Sequence, residues 1–547
     1  MSSIDEPKQT PKDVSEEHQQ EIFDHGEGED ETAKIHDMKV HRRLSNRQIQ
    51  LSAIAGSIGA ALFVAIGGGL RDAGPLALFL GFSWWSTVVF AVSQCQLETV
   101  SYFPLDGSFI RIAGRCVDPA FGAAIGFNFF FLQVTNAILE LTVFDTLVGF
   151  WDDSLSPAIT ISAMLVFYFA LNIWRVDWYG EVEFWISIGK VLLAVGLIFY
   201  TFITMVGANP LHWVYGFHYW KDPGFWVGGT VTERFEAFLA GVISACLIIC
   251  GPDFLSIISG EAKAPRKTMP RALRTVGIRL LVIYVIGSLC VGIVVSHKDP
   301  LIGNGGYAAS SPYVISMIRL KIPVLPSVVN AALMTSILSA GNNYVFGSSR
   351  SLMAMGEDGF APRFVTRVNR NGVPWISVLI VLLIGCFSYM ALGSGASTVL
   401  TWIINFATAA NMIDWIAMSL SWIRFNAGLK AQGLDRKELL PALSKWQPFA
   451  AWYALCCSFV MLFVQGYAVF KPGNWDTATF FFNYGLIFVG ILIYGVVKIW
   501  QKTKIISAKD IDFFSEVDII DKYEALLEAE EDGEKVSRAR KIINAIF

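Results

Sequence analysis

An acid is costly to hold in a long apolar stretch. Yet IGFNFFFLQVTNAILELTVF at 125–144 carries Gln133, Asn136 and Glu140 at i, i+3 and i+7, one face of a helix. Ionisable groups inside a hydrocarbon layer mark ligand or ion paths, because little else offsets their desolvation. Three further groups of this kind stand out. Lys190 sits between ISIG and VLLAVG, Asp253 follows a Gly251-Pro252 pair, and Asp414 lies beyond Asn405 and Thr408 in a later apolar run. Ser336, Ser339 and Asn343 share a face in another run. A carboxylate can hold an amine, and a Lys that alternates between charged and neutral can move a proton. The plainer reading is that these groups are satisfied packing contacts between helices. Glu98 ends the second apolar run, where a gating or structural role is expected, and Asn342 is read the same way.

Groups of this kind need elements that span a membrane, and the composition supplies them. Of 547 residues, 54% are hydrophobic and only 16% charged, where a soluble domain carries roughly 25% charge. About 20 apolar residues cross a bilayer core as a helix. Such runs fall at 50–69, 75–97, 118–149, 157–175, 182–206, 237–259, 276–296, 326–352, 374–393, 398–422, 449–470 and 480–500. The expectation is an all-α polytopic membrane protein of about twelve helices. A β-barrel would alternate polar and apolar residues over segments of about ten, whereas VLLAVGLIFYTFITMV at 191–206 is continuous.

Two runs are interrupted in corresponding places. The first reads SAIAGSIGAALFVAIGG, with Gly56 and Gly59 inside it, and the sixth reads ISACLIICGPDFLSIISG, broken at Gly251-Pro252. Proline removes a backbone donor and clashes with the preceding turn. A first and a sixth broken helix are what a five-plus-five inverted repeat requires, with the binding site at the breaks. For the first run, the plainer alternative is close packing through small residues.

Charge placement orients the chain. Lys39, Arg42, Arg43 and Arg47 precede the first run, and the segment 260–279, read as a loop, carries Lys263, Arg266, Lys267, Arg271, Arg274 and Arg279. The opposite segment FWDDSLSP at 150–157 has no basic residue. Basic loops stay inside, so both termini are expected in the cytosol. The polar, acidic N-terminal tail (1–46) is expected to be disordered, the transmembrane domain to run over 47–502, and the C-terminal tail (503–547) to hold at most a short helix. The net charge of −4 singles out no partner, and nothing points to nucleic acid. The eight cysteines lie in or beside apolar runs, which suits packing rather than disulfides. No metal-ligand spacing, phosphate loop or nucleophile–base pair is present, so neither an enzyme nor a cofactor is expected.

GEAKAPRKTMPRAL at 260–273 resembles the signature loop of the yeast amino acid transporter family, within the amino acid–polyamine–organocation superfamily. So do AGSIGAALF (55–63), YGEVEFWISIGKV (179–191), the long stretch 325–374 and AQGLDRKELLP (431–441), in family order. The resemblance implies a five-helix inverted repeat with two extra helices, and proton-coupled import of amino acids or related amines at a fungal plasma membrane. It implies that the unwound first helix holds the substrate carboxylate, here at Gly56, Ser57, Gly59 and Ala60. Glu140, Cys250, Gly251 and Asp253 would then face the amine, and Lys190 would couple protons. The expected partners are substrate, protons and the lipid bilayer, with ubiquitin-ligase or adaptor contacts at the tails.

The chain also departs from the family. Gly59-Ala60-Ala61-Leu62-Phe63 stands where Gly-Thr-Gly-Leu-Phe is common, Gly251-Pro252-Asp253 where Gly-Thr-Glu is common, and Ile138 where a Pro is usual. QIQLSAIAG, ALFVAIG and FITMVGANP look most like the carnitine- and polyamine-linked branch. The alternatives left open are therefore a carnitine or polyamine permease, or a sensor that kept the fold.

Overall fold

A computed structural model describes Ile49 and residues 59–105, 107–152, 154–174, 176–302, 311–369, 372–392 and 396–533. The expected N-terminal tail, Gly56 and Ser57 lie outside the described residues. Among those described, the chain is helical throughout. Proline opens many of the helices at a position where its missing N–H costs nothing: α2 (Pro75–Tyr102), α4 (Pro119–Val148), α5 (Pro157–Trp174), α8 (Pro252–Ile257), α9 (Pro265–Val294) and α10 (Pro312–Arg319). Ahead of α2, a π-helical turn Ala61–Ala65 runs into α1 (Ile66–Ala73), and α3 (Ser108–Cys116) leads into α4. The remainder are α6 (Val176–Met205), α7 (Val231–Ile248), α11 (Leu325–Glu357), α12 (Trp375–Gly385), α13 (Ala396–Ala431), α14 (Phe449–Val464), α15 (Thr477–Gln501) and α16 (Val517–Gly533).

Among the described residues, six helical segments are long and apolar enough to cross a membrane, and four shorter helices are also apolar. Their burial separates centre from periphery. The most apolar window of α4 is 83% buried, and that of α15 only 22%. Trp500, Ile499, Leu492 and Phe199 are exposed on the outer faces, which suits a lipid boundary that solvates apolar side chains. Helix α2 packs against α7 and α9, and α4 against α11 and α13.

Where α2 and α7 cross, glycine meets glycine. A Cβ on Gly81 would lie 2.6 Å from the Gly241 carbonyl carbon, and one on Gly241 would lie 2.5 Å from the Ala77 carbonyl oxygen. Small residues let backbones approach this closely in a bilayer.

One expectation needs correction. The basic segment read as a loop over 260–279 is largely helix, because Pro265 starts α9 and carries Lys267, Arg271 and Arg274 on its first turns. The C-terminal segment, expected to hold at most a short helix, also packs against the bundle over residues 511–523. Ile511, Phe513, Val517, Ile520 and Tyr523 are buried, since their apolar side chains find a groove lined by Tyr102 and Phe425.

Candidate functional site

The sixth run breaks where its sequence says it must. Helix α7 ends at Ile248, Ile249 turns to an extended backbone (ψ 104°), and Gly251 adopts φ 147°, a region that disfavours any side chain. Pro252 then occupies the first position of α8, and the Asp253 carboxylate folds back to accept the Gly251 N–H at 3.1 Å. An acid at a helix start meets the partial positive charge of the unpaired amides there.

The first run shows the same device, assembled from two helices. Gly59 and Ala60 precede the π-helical turn, and the Ala60 N–H is shared by both carboxylate oxygens of Glu140 from α4, at 3.0 and 3.2 Å. Glycine at 59 is what admits the acid. A Cβ there would stand 2.2 Å from Glu140 Oε1 and 3.2 Å from the Ala340 methyl of α11. Helix α11 makes similar room at Gly341, whose added Cβ would meet the Tyr168 hydroxyl at 2.1 Å and the Glu140 Cβ at 3.3 Å.

The Gly251-Pro252 break and the Gly59–Glu140 contact open on one narrow cavity, lined by Gly59, Gln133, Asn136, Glu140, Cys250, Gly251, Asp253, Tyr344 and Asn411, among others. Five of the expected binding residues therefore meet, and Ala60 adjoins them through its bond to Glu140. Gln133, Asn136 and Glu140 do share the face of α4 that their spacing implied. The Ala60 amide, the group expected to hold a substrate carboxylate, meets the Glu140 carboxylate in this structure.

Lys190 of α6 is 1% exposed, so it does not snorkel to a surface, and it lies within electrostatic reach of Glu140. Asn342 accepts the Asn172 side-chain N–H at 2.7 Å, tying α11 to α5. Glu98, fully buried at the end of α2, gathers the Trp422 indole N–H (2.9 Å), the Ser444 N–H (2.8 Å) and the Arg436 guanidinium. It is a clasp at the same end of the bundle as α16, away from the cavity.

Tyr344 and Asn411 line the cavity without having been singled out from sequence. Asn411 had a signal, since it falls between Thr408 and Asp414 on a polar stripe of α13. Tyr344 had little, being one aromatic among many. Among the described residues no group of His, Cys, Asp and Glu is placed to hold a metal ion.

A helical membrane bundle with a helix broken at Gly251-Pro252, acids at that break and at the Ala60 amide, and a small interior cavity between them has the construction of a transporter core. The family model for amino acid permeases matches residues 48–509, and the chain belongs to that family: it is a membrane transport protein and not an enzyme. A general amino acid permease of Saccharomyces cerevisiae is 38% identical over 93% of this chain and 88% of its own length. A proline-specific permease of Emericella nidulans is 33% identical, covering 91% of each chain. A basic amino-acid permease of Saccharomyces cerevisiae is 31% identical over 91% of this chain and 88% of its own.

Proposed function

We propose that this chain imports amino acids by inserting the zwitterion between the Ala60 amide and the Glu140 carboxylate. The observation that carries the reading is that these two groups hold each other across the cavity wall. An α-carboxylate is chemically the same acceptor as the Glu140 side chain, so it can take over the Ala60 N–H. The displaced Glu140 then meets the substrate's ammonium, a donor in place of the donor it lost. The Ala60 amide keeps an acceptor and Glu140 keeps a donor, and no charge is left unpaired in a low-dielectric site. Asp253 keeps the second break capped while this happens.

Lys190 is the proton-coupling group in this reading. Charged, it helps hold Glu140 in its resting place; neutral, it releases that hold and lets substrate in or out. Import at a fungal plasma membrane, with both termini in the cytosol, completes the proposal. The basic residues Arg115, Arg266, Arg424 and Lys498 all gather at the α16 end of the bundle, where their contacts are made, and this charge bias supports a cytosolic side for that end. A polyamine fits less well, because it offers no acceptor to Ala60. Carnitine has the carboxylate, but its quaternary ammonium has no N–H to give Glu140.

The test is competition against a labelled neutral amino acid in cells lacking their own amino acid permeases. The methyl ester lacks the carboxylate and the N-acetyl derivative lacks the ammonium, so both should compete poorly. An ester or N-acetyl compound that competes as well as the parent would overturn the zwitterion exchange. A protonophore should abolish accumulation if Lys190 couples import to protons.

A further inference from the structure

Three acids lie deep in the bundle, and they are not equally provided for. Glu140 is held by the Ala60 amide and Asp253 by the Gly251 amide. Among the described residues, Asp414 of α13 has no backbone donor of this kind. It is fully buried, its Oδ1 accepts the Asn128 side-chain N–H at 2.9 Å, and among the described residues its Oδ2 has no hydrogen-bond partner. The Asn128 amide is itself fixed by a second bond to the Ala410 carbonyl at 2.9 Å, so its donors are used up. A buried carboxyl with a bare oxygen is costly, and its natural complement is a donor that carries positive charge.

Its place in the fold says where such a donor would come from. Asn411 lines the cavity, and Asp414 follows it by three residues. That puts the two on one face of α13, about 4.5 Å apart along the helix. Asp253, at the cavity's other wall, lies within electrostatic reach of Asp414. The cavity thus has acids at two depths. Glu140 stands beside the Ala60 amide, and Asp414 lies about one turn of α13 beyond the lining. A substrate with its α-carboxylate and α-ammonium at the first pair would extend a long side chain toward the second. The four-carbon stem of a lysine side chain ends in three N–H donors.

We propose that Asp414 receives the distal cation of the substrate, so that this chain selects amino acids with a positively charged side chain. The proposal rests on the zwitterion exchange described above and adds the substrate class to it. An acid that merely glued α13 to α4 through Asn128 would not distinguish one substrate from another.

Two measurements test it, with the full chain expressed in permease-deficient cells. In the unsubstituted protein, unlabelled lysine should inhibit labelled leucine uptake at about a tenfold lower concentration than norleucine, the same chain without the charge. In Asp414→Asn, which keeps the shape and the Asn128 contact region, the ratio of lysine to leucine uptake should fall about tenfold or more. If lysine competes no better than norleucine, or if the ratio is unmoved by Asp414→Asn, the assignment of Asp414 fails. Leucine uptake by the unsubstituted chain separates the two readings. Its presence with no preference for lysine overturns only the Asp414 assignment. If no labelled amino acid enters at all, the exchange itself falls and Asp414 with it.

Discussion

At the scale of single residues, the site depends on a missing side chain. Gly59 admits Glu140 to the Ala60 amide because any Cβ would overlap the carboxylate at 2.2 Å. Gly59→Val should therefore push the acid off its amide and block the same space to a substrate carboxylate. Uptake is expected to fall about 10- to 100-fold, the worth of a hydrogen bond to a charged group, while the amount of protein at the cell surface stays near normal. Uptake assays paired with surface labelling check this. Lys190 is a different case, since it touches the mechanism through Glu140 rather than through substrate. Lys190→Met keeps length and removes charge. Flux down a substrate gradient should partly survive, whereas accumulation against a gradient and its proton dependence should disappear. A variant that still concentrates substrate in a proton-dependent way would remove Lys190 from the coupling.

At the scale of elements, helix ends matter as much as helix faces. Helix α4 carries Gln133, Asn136 and Glu140 of the cavity's lining, and its start is pinned by Asp118. That carboxylate caps the helix through the Ala120 N–H at 3.0 Å, accepts the Tyr494 hydroxyl at 3.2 Å and pairs with the Lys498 ammonium of α15. Burial works to raise its pKa, but the Lys498 bond and the Ala120 amide outweigh it, and the group is held below the usual carboxylate range. The sign then follows. A depressed carboxylate stabilises the fold above its unfolded value, roughly 4, and loses that contribution as pH falls through the lower folded value. Asp118→Asn should melt at a lower temperature than the unsubstituted protein at pH 7. The gap should narrow steadily as detergent-solubilised samples are taken from pH 5 toward pH 3. A gap that stays constant over that range would mean the charge of Asp118 does not contribute.

At the scale of the whole molecule, the C-terminal segment closes one end of the bundle. Tyr102 donates its hydroxyl to the Phe513 carbonyl at 2.9 Å, and Gln432 donates to the Ile511 carbonyl at 2.7 Å. Arg115 pairs with Glu516 at 2.8 Å, and Arg266 pairs with Asp521 and donates its N–H to Glu524 at 2.9 Å. The strap thus ties α2, α3, α9 and α13 together. Ending the chain after Lys502 would uncover the groove that Phe513, Ile520 and Tyr523 fill, each at 1% exposure or less. Burying a large apolar side chain is worth about 1.5–3 kcal/mol, so the truncated protein should melt well below the full chain. A thermal melt in detergent decides it, and an unchanged midpoint would show that the strap adds nothing to stability.

Much of this protein was legible in its sequence because membrane helices announce themselves locally. A continuous apolar run needs no partner to be recognised, and Gly251-Pro252 cannot continue a helix whatever surrounds it. The i, i+3, i+7 spacing of Gln133, Asn136 and Glu140 likewise fixed their common face without reference to the rest of the chain. Pairings between distant segments carry no such local mark. Glu140 lies 80 positions from the Ala60 amide it holds, and nothing local in the sequence pairs the two. The acidic end of the chain read as a tail because its apolar residues are sparse, yet a groove built from four other helices gives each of them a place. Asp414 could be seen as an acid in an apolar run, but that its Oδ2 lacks a donor among the described residues emerged only when α13 met α4. Local sequence determined which elements form and where they break. Tertiary packing decided which acid meets which amide, because a desolvated charge is settled by whichever donor the fold brings within reach.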